Sequence, residues 1–239
     1  MTKVAVVTGA AGGIGSATVE AFLADGWSVV GMDRVDTGSS SATRFLVVDL
    51  ADDAALERAI REVGESGGID ALVNNAAISM RQPIDATGPD QWDEVTKVNL
   101  RAPFLAARAA HRHMRGRDAA IVNVSSVHAV ATTPSQLAYA SAKAGLVGLT
   151  RALALELAGD GIRVNAVLPG AIDTAMLSAD GTADGRITRI AERTPLGRIG
   201  QAQEVAQAIL FLADHSRSSF ITGQTLVVDG GALARLSTE

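Results

Sequence analysis

A tyrosine and a lysine lie four residues apart in the stretch SQLAYASAKAGL at 135–146. Tyr139 is the only tyrosine in the chain, and Lys143 is one of three lysines among 239 residues. In a helix, residues at this spacing share one face. A cation about 5 Å from a phenol contributes roughly 3 kcal/mol at an effective dielectric near 20, which lowers the pKa of the phenol. The pair therefore predicts a proton-transferring tyrosine, with a surface tyrosine packed on a lysine stem as the alternative.

Two further polar residues could act with this pair. Ser126 follows the apolar run 119–124 and precedes Tyr139 by thirteen residues. Ligands of open α/β sheets bind beyond the carboxyl ends of the strands, so we expect the Ser126 hydroxyl to hydrogen-bond a substrate oxygen. Asn99 lies inside the helical pattern 89–115, although asparagine is a mediocre helix former. A local kink is the alternative role for its side chain.

A glycine-rich loop, TGAAGGIG at 8–15, follows the first apolar run of the chain. Its glycines allow backbone N–H groups to approach a pyrophosphate at the N-terminus of the next helix. Asp33 ends the second apolar run, where a carboxylate binds the hydroxyls of an adenosine ribose and repels a 2′-phosphate. We therefore expect a dinucleotide cofactor, NAD in preference to NADP, although Arg34 could accommodate a 2′-phosphate.

The overall composition narrows the classes of partner. The net charge is −5 and the pI about 5.4, which argues against nucleic acid and anionic membranes. The absence of cysteine excludes disulfides, thiolate metal sites and a cysteine nucleophile. Neither a signal peptide nor an apolar run of about 18 residues is recognisable. We expect a cytoplasmic protein that acts on a small molecule and binds no metal.

Apolar runs rich in β-branched residues alternate with segments of helical period. Strands are predicted at 3–8, 28–33, 44–49, 69–74, 119–124, 162–167 and 224–228, and helices at 13–25, 52–64, 89–115, 137–158 and 202–213. This alternation predicts an α/β fold in which residues 1–239 form a single Rossmann-type, doubly wound domain for dinucleotide binding and catalysis. Its seven-stranded parallel sheet carries helices on both faces.

Two segments depart from this regular alternation. The connection 34–43 is near the minimum length for a parallel crossover, so its helix should be vestigial. The segment 173–200 lacks a clean period and is expected to be a substrate loop or lid.

In their order along the chain, these segments resemble the compact branch of the short-chain dehydrogenase/reductase family. The resemblance covers nearly the whole chain. It rests on TGAAGGIG at 8–15, Asp33, Asp49-Leu50, NNAA at 74–77, Asn99, Ser126, YASAK at 139–143, PGAIDT at 169–174 and ITGQTLVVDGG at 221–231. Ala77 stands where the family usually has glycine.

The resemblance implies a role for each matching residue. Tyr139 would be the general acid/base, Lys143 would lower its pKa and bind the nicotinamide ribose, and Ser126 would hold the reacting oxygen. Asn99 would anchor a water that relays protons from Lys143 to solvent. The cofactor-binding residues would be Gly9, Gly13, Ile14, Gly15, Asp33, Asp49, Leu50, Asn75, Ala76, Ala77, Tyr139, Lys143, Pro169, Gly170, Ile172 and Thr174.

The implied reaction is the interconversion of a secondary alcohol and a ketone with NAD and NADH. Ser126, His128, Gln136 and Tyr139 are expected to bind a polyol, sugar or cyclitol-like substrate, although His128 could instead face water. Two other functions stay open: an NADPH-dependent reductase of the 3-oxoacyl-carrier type, and a non-catalytic dinucleotide sensor. The resemblance also implies a homotetramer formed through the predicted helices 89–115 and 137–158 and through the C-terminal segment.

Overall fold

A computed structural model describes residues 2–36, 41–179 and 185–235. Within these ranges, seven parallel strands form one sheet in the order β3-β2-β1-β4-β5-β6-β7. The strands are β1 (Val4–Thr8), β2 (Ser28–Asp33), β3 (Arg44–Val47), β4 (Ala71–Asn74), β5 (Ala120–Val124), β6 (Arg163–Pro169) and β7 (Thr225–Val228). This confirms the predicted seven-stranded parallel sheet of Rossmann type.

Helices cover both faces of this sheet. They are α1 (Gly13–Ala24), α2 (Asp53–Gly67), α3 (Pro89–Thr96), α4 (Ala102–Met114), α5 (Leu137–Leu157), α6 (Ala175–Ala179), α7 (Arg186–Arg193), α8 (Ala202–Ala213) and α9 (His215–Ser218). One apolar cluster joins the sheet to α2, α4 and α5, and the other joins it to α1 and α8. Successive residues of a strand alternate between the two clusters: Val6 packs in the first, and Ala5 and Val7 in the second.

Several elements differ from the predicted ones. The helix predicted over 89–115 is interrupted by a π-helical turn, Lys97–Arg101, between α3 and α4. The third strand ends at Val47, two residues early. In the short connection after β2, residues 34–36 and 41–43 are not helical, and residues 37–40 lie outside the described ranges.

The predicted substrate loop contains two helices that the sequence analysis did not identify. Helices α6 and α7 lie within 173–200, and residues 180–184 fall outside the described part of the chain. In the described ranges, no helix is long and apolar enough to cross a membrane.

The strand order determines where a ligand can bind. On one side of β1 the strand order continues through β2 to β3, and on the other side it continues through β4 to β7. The direction of the crossover connections therefore changes between β1 and β4. In such sheets the crevice at the carboxyl ends of the strands at this point is the usual ligand site. The glycine loop, Asn75 and Ser126 all follow strand ends on this edge.

Candidate active site

Lys143 lies in the second turn of α5, and its side chain packs against the end of β5. Its side chain is buried, and Nζ donates a hydrogen bond of 2.8 Å to the carbonyl of Val124. Ser125 Oγ donates a bond of 2.8 Å to the carbonyl of Lys143. Two consecutive residues at the end of β5 thus bind the main chain and the side chain of one residue of α5. Ser125 was not among the predicted site residues.

Tyr139 lies one turn before Lys143 on the same helix, as the spacing predicted. Lys143 Nζ is 5.7 Å from the centroid of the Tyr139 ring. Tyr139 also packs beside Ile78, Met80 and Leu100 in a small apolar cluster. Burial lowers the pKa of Lys143 from 10.5 to about 7, because desolvation penalises the ammonium form. The charge of this lysine is therefore sensitive to any acceptor that enters the site.

Ser126 begins the short 3-10 turn Val127–Ala129 after β5. Its side chain is buried, and Oγ accepts a hydrogen bond of 3.2 Å from the backbone N–H of His128. A serine hydroxyl carries one donor hydrogen in addition to its acceptor lone pairs. The hydroxyl can therefore donate to a substrate oxygen while the turn holds it in place.

Asn99 lies in the π-helical turn, fully buried. Its Oδ1 accepts from the backbone N–H of Ile78 at 2.9 Å, and its Nδ2 donates to the carbonyl of Ile78 at 2.8 Å. The side-chain amide is thus paired with the segment that follows β4, which supports the alternative of a local structural role. A π-turn contains one more residue than an α-turn, so it leaves a main-chain carbonyl without its usual helical donor. The Oδ1 and Nδ2 atoms of Asn99 each keep one further hydrogen-bonding position, at which a water can bind.

The glycine loop forms a cradle in which side chains at positions 9, 13 and 15 would clash with neighbouring atoms. A Cβ on Gly15 would lie 1.9 Å from the carbonyl oxygen of Gly9, and Gly9 itself has φ +67°. A Cβ on Gly13 would lie 2.7 Å from Cγ2 of Thr174. Gly12 caps α1 without a side-chain bond, so the first N–H groups of the helix, including that of Ile14, remain available. This cradle fits an anionic group such as a pyrophosphate.

Asp33 lies beside this cradle at the end of β2. Its Oδ2 accepts from the N–H of Ala11 at 3.1 Å, and its Oδ1 accepts from the N–H of Arg34 at 2.7 Å. Each carboxylate oxygen has a second acceptor position, so both can still bind a hydroxyl. The carboxylate is therefore held at the loop, where an adenosine ribose would lie.

Asp49 and Leu50 follow the third strand at the same edge of the sheet. Asp49 Oδ1 accepts from the N–H of Ala51 at 2.9 Å, and Leu50 is buried in the apolar cluster of α2 and α4. The contacts of both residues stabilise the turn and the core, and their position beside an adenine stays a prediction.

Asn75 binds the glycine loop rather than extending into the open cleft. Its Nδ2 donates to the carbonyls of Thr8 and Gly9 at 2.9 and 3.2 Å. The Thr8 hydroxyl accepts from the backbone N–H groups of Asn75 and Ala76. A Cβ on Gly9 would lie 2.7 Å from Cα of Ala76. Thr8 is a site residue that the sequence analysis quoted in the glycine motif but did not predict.

The residues predicted after β6 form the base of the substrate loop. Ile172 and Gly200 form an isolated bridge, in which the N–H of Asp173 donates to the carbonyl of Gly200 at 2.9 Å. A Cβ on Gly170 would lie 2.7 Å from Cβ of Asp229, so the end of β6 packs tightly against the chain after β7. Pro169 ends the strand, and the segment then passes Thr174 into α6. Both ends of this loop are therefore anchored.

His128 and Gln136 flank Tyr139, as predicted. The His128 and Tyr139 rings meet edge to face at 5.8 Å, and His128 Nδ1 lies 2.8 Å from Oγ1 of Thr132. Gln136 precedes α5 and is buried, with Oε1 accepting from Oγ of Ser79 at 3.4 Å. Ser79 lies in the loop 77–82, which a backbone bridge between Gln82 and Gln136 joins to this side of the site. The surroundings of the tyrosine are thus rich in hydrogen-bonding groups.

Comparisons with known proteins identify similar chains. A family model described as Enoyl-(Acyl carrier protein) reductase matches residues 9–232. The chain is 37% identical over 238 residues to the 3-oxoacyl-(acyl-carrier-protein) reductase of Salmonella typhimurium, with 96% of each chain covered.

Two solved structures are also close. The aldohexose dehydrogenase of Thermoplasma acidophilum has a TM-score of 0.94 at 35% identity, over 100% of this chain and 96% of that one. A gluconate 5-dehydrogenase of Burkholderia cenocepacia, solved with NADP and tartrate, has a TM-score of 0.91 at 34% identity, over 98% and 96% of the two chains.

Proposed function

Since this chain belongs to the short-chain dehydrogenase/reductase family and is an oxidoreductase of that family, we propose that it interconverts a secondary alcohol and a ketone with NAD and NADH. The observation that carries the proposal is the buried Lys143 ammonium one turn from the only tyrosine, against the strand that ends in Ser126. Maintaining a buried, desolvated lysine is costly, which indicates that this lysine serves the chemistry rather than the stability of the fold.

The proposed cofactor site extends along the carboxyl edge of the sheet. The cradle of Gly9, Gly13, Ile14 and Gly15 holds the pyrophosphate, and Asp33 binds the adenosine ribose. The remaining cofactor contacts come from Asp49, Leu50, Asn75, Ala76, Ala77, Pro169, Gly170, Ile172 and Thr174. When bound, a nicotinamide dinucleotide supplies the acceptance and donation of hydride.

The protein moves the proton. Ser126 donates its hydroxyl hydrogen to the reacting oxygen, while Tyr139 accepts the proton of the alcohol, or returns one to the oxygen in the reverse direction. Lys143 has three N–H donors, of which Val124 binds one, so the others can bind ribose oxygens and the phenol. Asn99 anchors a water that relays protons from Lys143 to solvent, because both polar atoms of its amide can form a hydrogen bond beyond those to Ile78.

The preference for NAD rests on the carboxylate of Asp33. A 2′-phosphate near Asp33 would be repelled by the carboxylate, whereas the ribose hydroxyls can donate to its two oxygens.

The related gluconate 5-dehydrogenase was solved with NADP, so the preference of this chain is tested directly. Fluorescence titration of NADH and NADPH against the wild type and Asp33→Asn tests it: we expect tighter NADH binding, and a preference lost in the variant. Asp85→Asn, at an exposed carboxylate, serves as the control.

The proposed substrate is a small polyol, sugar or cyclitol. Its support is the polar surroundings of Tyr139, where Ser126, His128, Gln136 and Ser79 offer hydrogen-bonding groups. Relatives named as aldohexose and gluconate dehydrogenases act on polyhydroxylated compounds of this kind.

A second candidate is an NADPH-dependent reductase of 3-oxoacyl carrier thioesters. The observation in its favour is the 37% identity to a 3-oxoacyl-(acyl-carrier-protein) reductase over nearly the full length of both chains. The lining beside Tyr139 is mixed: the apolar cluster with Ile78, Met80 and Leu100 fits an acyl chain, whereas Ser126 and His128 fit a hydroxylated substrate.

A substrate screen with both cofactors separates these functions. Turnover of polyols, sugars or cyclitols with NAD is the expected result, whereas reduction of 3-oxoacyl thioesters with NADPH would establish the second candidate. Tight binding of a dinucleotide without turnover of any compound would instead support the non-catalytic sensor.

A further inference from the structure

A chain of three buried polar side chains runs from the sheet into α5. Asn74 Nδ2 donates to Asn123 Oδ1 at 2.8 Å, Asn123 Nδ2 donates to Thr150 Oγ1 at 2.9 Å, and Thr150 Oγ1 donates to the carbonyl of Leu146 at 2.8 Å. Asn74 and Asn123 are partners in the register of β4 and β5, so their side chains leave the sheet on the same face. The sequence analysis assigned no role to Asn123 or Thr150.

This chain is the second polar contact between β5 and α5. The first joins Lys143 to Val124 and Ser125. Thr150 follows Lys143 by seven residues, which is two helical turns or about 10 Å along the axis. Asn123 directly precedes Val124 and Ser125. Two separated points on the helix are therefore bound to three consecutive residues of one strand.

The buried face of α5 combines large side chains, Leu146, Val147 and Leu157, with small ones. The small residues Ala138 and Ala142 lie in the turns that carry Tyr139 and Lys143, and a Cβ on Gly145 would lie 2.9 Å from Leu100. The position of a packed helix is normally set by ridges of side chains that fit into grooves of its neighbour, and small residues form only shallow ridges. Hydrogen bonds depend on direction and distance, so the two polar contacts define the rotation and the axial position of the helix.

We propose that Asn123 and Thr150 are positioning residues, which set the register of α5 on β5 and so place Tyr139 and Lys143 opposite Ser126. The phenolic oxygen lies roughly 8 Å from the helix axis, so a rotation of about 7° moves it by about 1 Å. Displacement of about 1 Å can cost about 100-fold in rate when a reacting group must be aligned. Because none of the three hydrogen bonds that Asn123 and Thr150 form in this polar chain reaches Tyr139, their effect on the tyrosine is transmitted through β5 and α5.

The test uses the fact that Tyr139 is the only tyrosine, so an ultraviolet titration of tyrosinate reports on this residue alone. Thr150→Val removes the hydroxyl with little change of shape, and Thr150→Ser keeps it. Thr18→Val is the matched control, because buried Thr18 donates to the carbonyl of Ile14 in α1 as Thr150 does to Leu146.

We expect the titration midpoint of T150V to move by about 0.5 pH unit or more, because Lys143 and its neighbours shift relative to the phenol. T150S and T18V should keep the midpoint of the wild type. Thr150→Cys, whose sulfur is a weak acceptor, should move it in the same direction as T150V and supplies the comparison if T150V does not fold.

The kinetic part of the inference rests on the proposed function. With a substrate from the screen, kcat of T150V should fall about tenfold or more at an unchanged KM for the dinucleotide, and T150S should recover it. If the wild type turns over no substrate, the proposed function fails and the titration still decides the positioning role. Midpoints of T150V and T150C equal to that of the wild type, with only the melting temperature lowered, would overturn the inference.

Discussion

At the scale of single residues, the burial of Lys143 determines the protonation of the site. The lysine is fully enclosed, and burial lowers its pKa to about 7, so its charge is only partly retained at neutral pH. The sequence predicts a cation beside Tyr139 from spacing alone. Spacing cannot show that the same lysine is desolvated, since that depends on the strand and helix packed over it. Ribose oxygens bound to Nζ would stabilise the ammonium form and raise its pKa.

This burial predicts how stability depends on pH. The unfolded chain keeps a lysine proton up to about pH 10.5, whereas the folded protein releases it near pH 7. Between these values the unfolded state binds more protons, so the free energy of unfolding rises with pH, by up to about 1.4 kcal/mol per pH unit. Lys143→Met should flatten this rise. Denaturant titrations between pH 7 and 10 measure it, best in a Tyr139→Phe background because the phenol titrates nearby.

An unchanged slope in the Lys143→Met protein would contradict the assignment of this proton to the buried lysine. A steeper slope in that protein would contradict the assignment as well.

At the scale of elements, the glycine loop packs directly against the first turn of α1. The Cβ of an alanine at position 15 would lie 1.9 Å from the Gly9 carbonyl oxygen, and backbone cannot move away cheaply. Gly15→Ala should therefore lower the affinity for a dinucleotide at least about tenfold and destabilise the protein by over about 1 kcal/mol. Calorimetric titration with NADH and thermal unfolding measure the two effects.

Gly67→Ala is the matched control for this prediction. Gly67 ends α2, and a Cβ there would meet no atom within 4 Å. The alanine should leave dinucleotide affinity unchanged and stabilise the helix by about 0.5–1 kcal/mol. Equal affinities of the Gly15→Ala protein and the wild type would contradict the role of the cradle.

The elements also show how far the sequence determines the fold and the site. The strands are recognisable because buried parallel strands are continuous apolar runs, and all seven were predicted. The π-turn was not, because an extra residue in a helix leaves the apolar period nearly intact. In the structure Asn99 lies in this turn and pairs with Ile78, a tertiary contact that the sequence does not show. Thr8 was missed for a similar reason, since its partners Asn75 and Ala76 come from a distant segment.

At the scale of the whole molecule, the parallel sheet brings residues from six strand ends, those of β1 to β6, to one edge. Helices α4 and α5 expose apolar side chains to solvent. Among them are Phe104 and Leu155, and Leu155 is 84% exposed. We propose that these helices form the interface of a homotetramer, as the family resemblance implies. Burial of such side chains between subunits would remove apolar area from water.

A substitution within this surface tests the assembly. Leu155→Glu places a charge where the proposed interface is apolar, so we expect a smaller species in sedimentation velocity measurements. Ile84→Glu is the control, because Ile84 is 76% exposed and lies outside α4 and α5. A monomeric wild type, or an assembly that both variants retain, would contradict the proposed interface.

The most direct test is the rate of NADH formation from an accepted alcohol by the wild type and by Tyr139→Phe. The phenylalanine keeps the ring packed against Ile78, Met80 and His128 and removes only the hydroxyl. Loss of a general acid/base predicts a fall in kcat of about 100- to 10,000-fold, with the affinity for NAD within about twofold. A Tyr139→Phe protein as active as the wild type would contradict proton transfer by this tyrosine.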